Sequence, residues 1–251
     1  MMITVMAATD TGRVRDYNED YYSALGKEES PSGFDALLVV ADGMGGHAAG
    51  EVAGKMTVEG IVQSLTERGE ETSKLEGGAF GAFLGKILEE VNQDVWSAGQ
   101  ELDKRGMGTT CTLVAIQDDQ FFLTHIGDSR AYLLRDGELL QVSKDHSWVE
   151  DAVDQGLITR EQARIHPNRN VITRAIGLEP QPKIDTSSMV LADGDLLLLC
   201  SDGLNSMIPD EDIHRILTSS AREEICEALI EAANNQGGHD NTTVIVAVIR
   251  A

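Results

Sequence analysis

Thr110-Cys111-Thr112-Leu113-Val114-Ala115-Ile116, then the short turn Asp118-Asp119, then Gln120-Phe121-Phe122-Leu123-Thr124-His125-Ile126 is the stretch that decides the fold class. Two strand-like runs this close together pair antiparallel, because parallel neighbours need a crossover of a dozen or more residues. The next segment repeats the device: Ser129 to Arg135 and Glu138 to Val142 flank Asp136-Gly137, a strong hairpin signal. Strands joined by such turns exclude a doubly wound dinucleotide-binding sheet.

Outward from this centre, strands are expected at 3–9, 21–25, 35–41, 184–191, 195–200 and 242–249. The run Ala36-Leu37-Leu38-Val39-Val40-Ala41 has no polar alternation and reads as a strand buried on both faces. Helices are expected at 48–66, 79–98, 210–218 and 221–235, with a polar connection at 67–78 and a glycine cap at Gly237-Gly238. In 79–98, Phe80, Phe83, Leu84, Ile87, Leu88, Val91 and Val95 follow the helical apolar spacing and read as core. The whole reads as an α+β chain of two mainly antiparallel sheets with helices outside. No repeat or linker divides it, so residues 1–251 are expected to form one domain. Residues 143–180 differ: polar, partly helical (Ser147 to Gln155, Thr159 to Arg164) and rich in His, Asn and Arg, they read as a lobe over the domain edge.

The formal charge is −22, from 20 basic and 42 acidic residues. That excess argues against nucleic acid and anionic membrane as partners. The three cysteines, Cys111, Cys200 and Cys226, lie in apolar stretches without zinc spacing and read as buried thiols in a reducing compartment. No apolar run approaches the roughly 20 residues of a membrane span. The start of the chain lacks a basic leader, so a cytoplasmic protein is expected.

Carboxylates recur at strand ends. Asp42 ends the central strand in Asp42-Gly43-Met44-Gly45-Gly46-His47, and Asp202 ends another in Ser201-Asp202-Gly203. Asp128 follows the strand ending near Gly127, Asp240 precedes the last strand, and Glu19-Asp20 precede the second. A single Asp-Gly is usually an ordinary turn. Several acids gathered at neighbouring strand ends would repel one another unless cations neutralise them. Oxygen ligands without Cys or His suit Mg²⁺ or Mn²⁺. Two such ions bridged by Asp42 would acidify a shared water, and Arg15 could grip phosphate oxygens with its fork. The glycines let the backbone approach a ligand, and the Gly43 carbonyl could itself be one.

Six motifs stand in the order found in metal-dependent protein phosphatases of the protein phosphatase 2C type. They are Arg15-Asp16-Tyr17-Asn18-Glu19-Asp20, Asp42 to His47, Gly108-Thr109-Thr110, Gly127-Asp128-Ser129-Arg130-Ala131-Tyr132, Ser201-Asp202-Gly203-Leu204 and Asp240-Asn241-Thr242-Thr243. The chain resembles that family along essentially its whole length, and its bacterial branch most closely. The resemblance implies an α-β-β-α sandwich with a metal-filled cleft at one edge. It implies a serine/threonine phosphatase with two Mg²⁺ or Mn²⁺ ions. Asp42 would bridge them, Gly43 would bind the second, and Asp202 and Asp240 would hold the first. Glu19, Asp20 and Asn241 would act nearby or through water, Arg15 would bind phosphate, and Asp128 would serve a third ion. Residues 143–180 resemble the flap beside the cleft. Two departures stand out. Met44 occupies the place of a histidine found in many eukaryotic members, leaving His47 as candidate general acid or as a helix-capping residue. Ser206 stands where an acid often supports the third ion.

Phosphorylated proteins and a serine/threonine kinase are the expected partners of a monomeric enzyme. A cysteine-dependent phosphatase is excluded, since Gln117, Ser206 and Ala232 occupy the positions where its arginine would follow Cys111, Cys200 and Cys226. The rivals are a non-catalytic phosphoprotein-binding module of the same fold and a two-metal phosphodiesterase. Retention of Arg15, Asp42, Asp202 and Asp240 counts against the first, and the motif order against the second.

Overall fold

The computed structural model describes residues 1–45, 48–72, 74–101 and 105–250. Its strands are β1 (Met2–Asp10), β2 (Asp20–Leu25), β3 (Ala36–Met44), β4 (Gly108–Thr109), β5 (Cys111–Gln117), β6 (Gln120–Ile126), β7 (Arg130–Arg135), β8 (Glu138–Gln141), β9 (Asp185–Val190), β10 (Leu196–Cys200) and β11 (Thr242–Arg250). Its helices are α1 (Ala48–Glu67), α2 (Gly69–Thr72), α3 (Gly77–Ala98), α4 (Trp148–Asp154), α5 (Arg160–Arg164), α6 (Asp202–Asn205), α7 (Asp210–Ser219) and α8 (Ile225–Asn235).

One sheet runs β1-β11-β10-β7-β8; the other runs β2-β3-β5-β6-β9, with β4 on β3. Every ladder among the described residues is antiparallel. The hairpin between β7 and β8 turns on Asp136 and Gly137, both at positive φ (51° and 81°), the type I′ geometry that Asp-Gly tolerates.

Three apolar layers explain the architecture. Leu37, Val39 and Ala41 face α1 and α3, whereas Ala36, Leu38 and Val40 face the other sheet. The same alternation sends Leu196, Leu198, Val244 and Val246 toward α7 and α8, and Leu197, Leu199, Ile245 and Ala247 between the sheets. A strand covered on both faces has no polar side, so the continuous runs at 36–41 and 196–200 follow. Each fully buried Leu or Val contributes about 1.5–3 kcal/mol. The layer order is therefore helix, sheet, sheet, helix.

Five local features differ from expectation. The 67–78 connection contains the helical turn α2. β3 does not stop at Ala41 but carries Asp42 and Gly43 as strand residues, with Asp42 opposite Asp20. Asp202 opens α6 instead of ending a strand, and the two-residue β4 was not foreseen. The helix expected from 221 begins with a 3₁₀ turn, Arg222–Glu224, before α8.

Candidate active site

Antiparallel registers bring the acid-bearing ends together. Asp20 opens β2 beside Asp42 in β3, Asp202 follows β10, and Asp240 precedes β11, the neighbour of β10. They meet at a cleft of about 440 Å³ lined by Arg15, Glu19, Asp42, Gly43, Asp128, Asp202, Asp240 and Asn241. Val14, Asp16, Tyr17, Met44 and Gly45 complete the near wall, and Asn170 and Ile172 come from the segment between β8 and β9.

Backbone hydrogen bonds hold Asp42. The Thr110 hydroxyl accepts its N–H at 2.9 Å, while Thr110 N–H and the Thr109 hydroxyl donate to its carbonyl at 2.9 and 2.8 Å. Gly43 is needed for close approach: a Cβ there would lie 2.3 Å from the Gly50 carbonyl oxygen of α1 and 2.6 Å from that of Glu19. Gly203 has the same role, since its Cβ would lie 2.0 Å from the Asn241 carbonyl oxygen. Asn241 fastens the loop that carries Arg15: its amide donates to the Thr11 and Tyr17 carbonyls, each at 2.9 Å, and its oxygen accepts Glu19 N–H at 2.8 Å. Arg15 is half exposed and donates to Asp240 at 2.7 Å.

The acids repel one another in an enclosed place. Burial, then Asp20 and Asp202, raise Asp42 well above the usual carboxylate range. Burial, then Asp202 and Asp145, do the same to Asp128. Asp202 is pushed up to about 6 by burial and by Asp240, against a hydrogen bond from Asp42. Asp20 is pushed up to about 7 by burial; it accepts from the Ser201 hydroxyl at 2.7 Å and lies behind the lining residues. One carboxylate oxygen each of Asp20 and Asp128 is buried without a hydrogen-bond partner among the described residues. Unpaired acceptors, crowded carboxylates and a lining without His or Cys among the described residues make a donor set that fits hard divalent cations. Among the described residues, no three acid, His or Cys side chains stand as a ready-made shell around one point. Asp20 and Asp42 are cross-strand partners, and Asp240 is turned to Arg15.

The structure thus brings Arg15, Glu19, Asp42, Gly43, Asp128, Asp202, Asp240 and Asn241 to one cleft, with Asp20 directly behind. His47 lies outside the described residues. The other histidines stand away from the cleft lining. His125 is buried, accepts from or donates to the Thr112 hydroxyl at 3.0 Å, and bonds the Lys144 carbonyl at 3.0 Å. Its pKa is pushed down to about 4 by burial and by neighbouring His146. His146 accepts Gly127 N–H at 3.1 Å and pairs with Asp185, His166 stacks on Trp148, His214 bonds the Gly137 carbonyl, and His239 is exposed.

Sequence reasoning missed the roles of the hydroxyls of Thr109, Thr110 and Ser201, although they sit within quoted motifs. Ser201 accepts Thr243 N–H at 2.9 Å while donating to Asp20. Asn170 and Ile172 were missed as well, and no pattern marks them. Their segment leaves the sandwich where Arg130 forms a bidentate pair with Asp145, at 2.9 and 2.7 Å. It returns by a bridge between Ser147 and Ile172 and another between Thr109 and Ile176.

The family model described as Protein phosphatase 2C matches residues 13–241. The serine/threonine phosphatase stp of Listeria monocytogenes is 38% identical over 241 residues, covering 95% of this chain and 92% of that one. The solved serine/threonine phosphatase of S. agalactiae superposes with a TM-score of 0.90 at 34% identity, covering 99% of this chain and 100% of that one. The catalytic domain of the serine/threonine protein phosphatase PstP, in complex with two manganese ions, gives 0.81 at 38% identity, with 99% of each chain covered. No helix among the described residues is long and apolar enough to cross a membrane.

Proposed function

The chain belongs to the protein phosphatase 2C family, and on that premise we propose that it hydrolyses phosphoserine and phosphothreonine in proteins at the acidic cleft. Two divalent cations, Mg²⁺ or Mn²⁺, would supply charge neutralisation and an activated water as nucleophile. Asp42 and the Gly43 carbonyl, with Asp202 and Asp240, are the residues proposed to hold them. Asp128 is proposed for a third. The manganese ions of the PstP complex support this reading.

This chain's own groups account for the remaining steps. Arg15 stands at the cleft rim, where its fork can leave Asp240 for two phosphate oxygens and hold the phosphorus in line with the attacking water. The same guanidinium offsets charge that grows on those oxygens. Glu19 and Asp20 are proposed to orient water, with Asn241 fixing the loop on which Glu19 and Arg15 sit. His47 is proposed as proton donor to the leaving oxygen. The chain would work as one catalytic domain, residues 1–251, with 143–180 as flap. We place it, as a monomer acting on the products of a serine/threonine kinase, in the cytoplasm, and its three buried free thiols support the reducing compartment alone.

The single observation that carries the proposal is the convergence of Asp42, Asp202 and Asp240, far apart in the chain, on one cleft with Arg15 at its rim. A phosphothreonine peptide incubated with the protein and Mn²⁺ is expected to release phosphate, and a chelator is expected to stop it. Phosphate release that persists in excess chelator overturns the cation reading. No release from phosphopeptides with either Mg²⁺ or Mn²⁺ overturns the activity.

A further inference from the structure

Asn92 breaks the apolar face of α3. It is fully buried, flanked along the helix by Leu88, Val91 and Val95. A buried amide without partners is costly, so its hydrogen bonds carry the explanation. All of those found lead to one place, the chain leaving the 143–180 segment. The side-chain oxygen accepts Gly177 N–H at 2.8 Å, and the amide donates to the carbonyls of Glu179 at 3.0 Å and Pro180 at 3.4 Å. Donor and acceptor ends both match, so the amide has one orientation that satisfies this site. The exposed neighbour Gln93 donates to the Pro180 carbonyl too.

We propose that Asn92 is a positioning residue that sets the pose of the flap for protein substrates, clamping its exit at Gly177–Pro180 and thereby the cleft wall at Asn170 and Ile172. The inference rests on the phosphatase reading above for its substrate. Gly177 has φ +84°, and a Cβ there would lie 2.8 Å from Val95 Cγ1, so the exit is pressed against the same helix face. One residue earlier, Ile176 exchanges backbone hydrogen bonds with Thr109 at 3.1 and 2.9 Å. From there the chain runs back to Ile172, which bridges Ser147. The flap is thus tied at entry by Arg130 with Asp145 and at exit by Asn92.

Asp42 keeps two of its three backbone bonds independently of this clamp. Thr110 holds both its N–H and its carbonyl, and only the added bond from the Thr109 hydroxyl comes from a residue paired with Ile176. Loosening the exit should therefore disturb the wall that meets a protein chain and spare the floor that meets phosphate. The expected signature is a split between KM and kcat, which loss of general stability would not produce.

The test uses the full chain with Mn²⁺, a phosphothreonine peptide and p-nitrophenyl phosphate, together with hydrogen–deuterium exchange. Asn92→Ala is expected to raise the peptide KM by at least about fivefold while kcat on both substrates stays within about twofold. Amides of 170–180 should lose protection while those of β5 and α3 keep theirs. Gln93→Ala should move the peptide KM and the 177–180 amides the same way, by less. An unchanged KM in folded Asn92→Ala overturns the proposal. So does an equal loss on both substrates with protection lost across α3. If Asn92→Ala does not fold, Gln93→Ala decides: unchanged KM and unchanged 177–180 protection overturn the clamp. If the wild type turns over neither substrate, the phosphatase reading fails, and exchange alone judges whether Asn92 anchors the exit.

Discussion

Asp42-Gly43 lies inside a strand, whereas Asp202-Gly203 opens a helical turn. The dipeptides are the same and the local backbones are not. What they share is contact: each glycine lets a second backbone come closer than any Cβ would permit, at Gly50 for one and Asn241 for the other. Each aspartate then faces the same cleft, and the charge of Asp202 helps raise the pKa of Asp42. Each neighbourhood also has a hydroxyl clamp, Thr110 for Asp42 and Ser201 at the start of α6. The repeated dipeptide therefore marks a packing requirement that two kinds of secondary structure can meet.

If the two aspartates act as one unit, neutralising either should cost nearly as much as neutralising both. Asp42→Asn and Asp202→Asn are each expected to lower kcat/KM for a phosphopeptide by at least about 100-fold, with the double variant little worse. Their circular dichroism should match the parent, and in chelator their melting temperatures should hold or rise, because each removes charge from a crowded buried group. Additive losses would break the comparison.

The glycines come next. Gly43→Ala and Gly203→Ala each force backbone apart, because the obstructing atoms are carbonyls and not flexible side-chain ends. Urea unfolding should show a loss of about 1–3 kcal/mol or more for each. Gly26, where a Cβ meets nothing within 4 Å, is the control, and Gly26→Ala should stay within about 0.5 kcal/mol of the parent. A neutral Gly203→Ala would show that only the strand-borne pair is constrained.

The hydroxyls sharpen the likeness further. Thr110→Val removes the acceptor for Asp42 N–H, and Ser201→Ala removes the acceptor for Thr243 N–H. Each leaves a buried N–H unpaired, so each is expected to cost about 1–3 kcal/mol in urea unfolding. Equal losses would mark equivalent clamps, and a loss at Thr110 alone would mark the strand site as the stiffer one.

How much of this could be read beforehand depended on the range of the signal. The run at 36–41 and the Asp136-Gly137 turn carry their structure locally, and both formed as expected. The cleft acids were legible as a set because their motif order resembles that of the family. α2, α6 and β4 were not, since two to four residues contain no period, and tertiary contacts hold them. Asn92 was hidden for a related reason. One polar residue does not disturb a helical stripe, and Gly177, which it holds, is 85 positions away. Thr110 and Ser201 were visible as residues, but the groups they hold are set by strand register, which sequence alone leaves open.

The smallest expected effect is a pH dependence, and its sign separates the cleft acids from the buried histidine pair His125 and His146. Asp20 and Asp202 have folded pKa values raised to about 7 and about 6, so the native state binds more protons than the unfolded chain from about pH 4 up to those values. Stability from these groups is present at low pH and is lost as pH rises through that window. His125 has the opposite sign: it is held neutral with a pKa near 4, so its contribution grows as pH rises toward 6.5. Below pH 6.5 the two regions oppose each other. Above it the histidine is neutral in both states, and the acids act alone. In chelator, raising pH from 6.5 to 7.5 is therefore expected to lower stability by at least about 0.5 kcal/mol, read from urea midpoints. With Mn²⁺ the trend should reverse, because cation binding displaces the same protons and is favoured as they leave. Asp20→Asn should make the chelated profile shallower without flattening it, since Asp42 and Asp128 are raised as well. A chelated protein that gains stability across this interval would mean the floor carboxyls are already ionised without a cation.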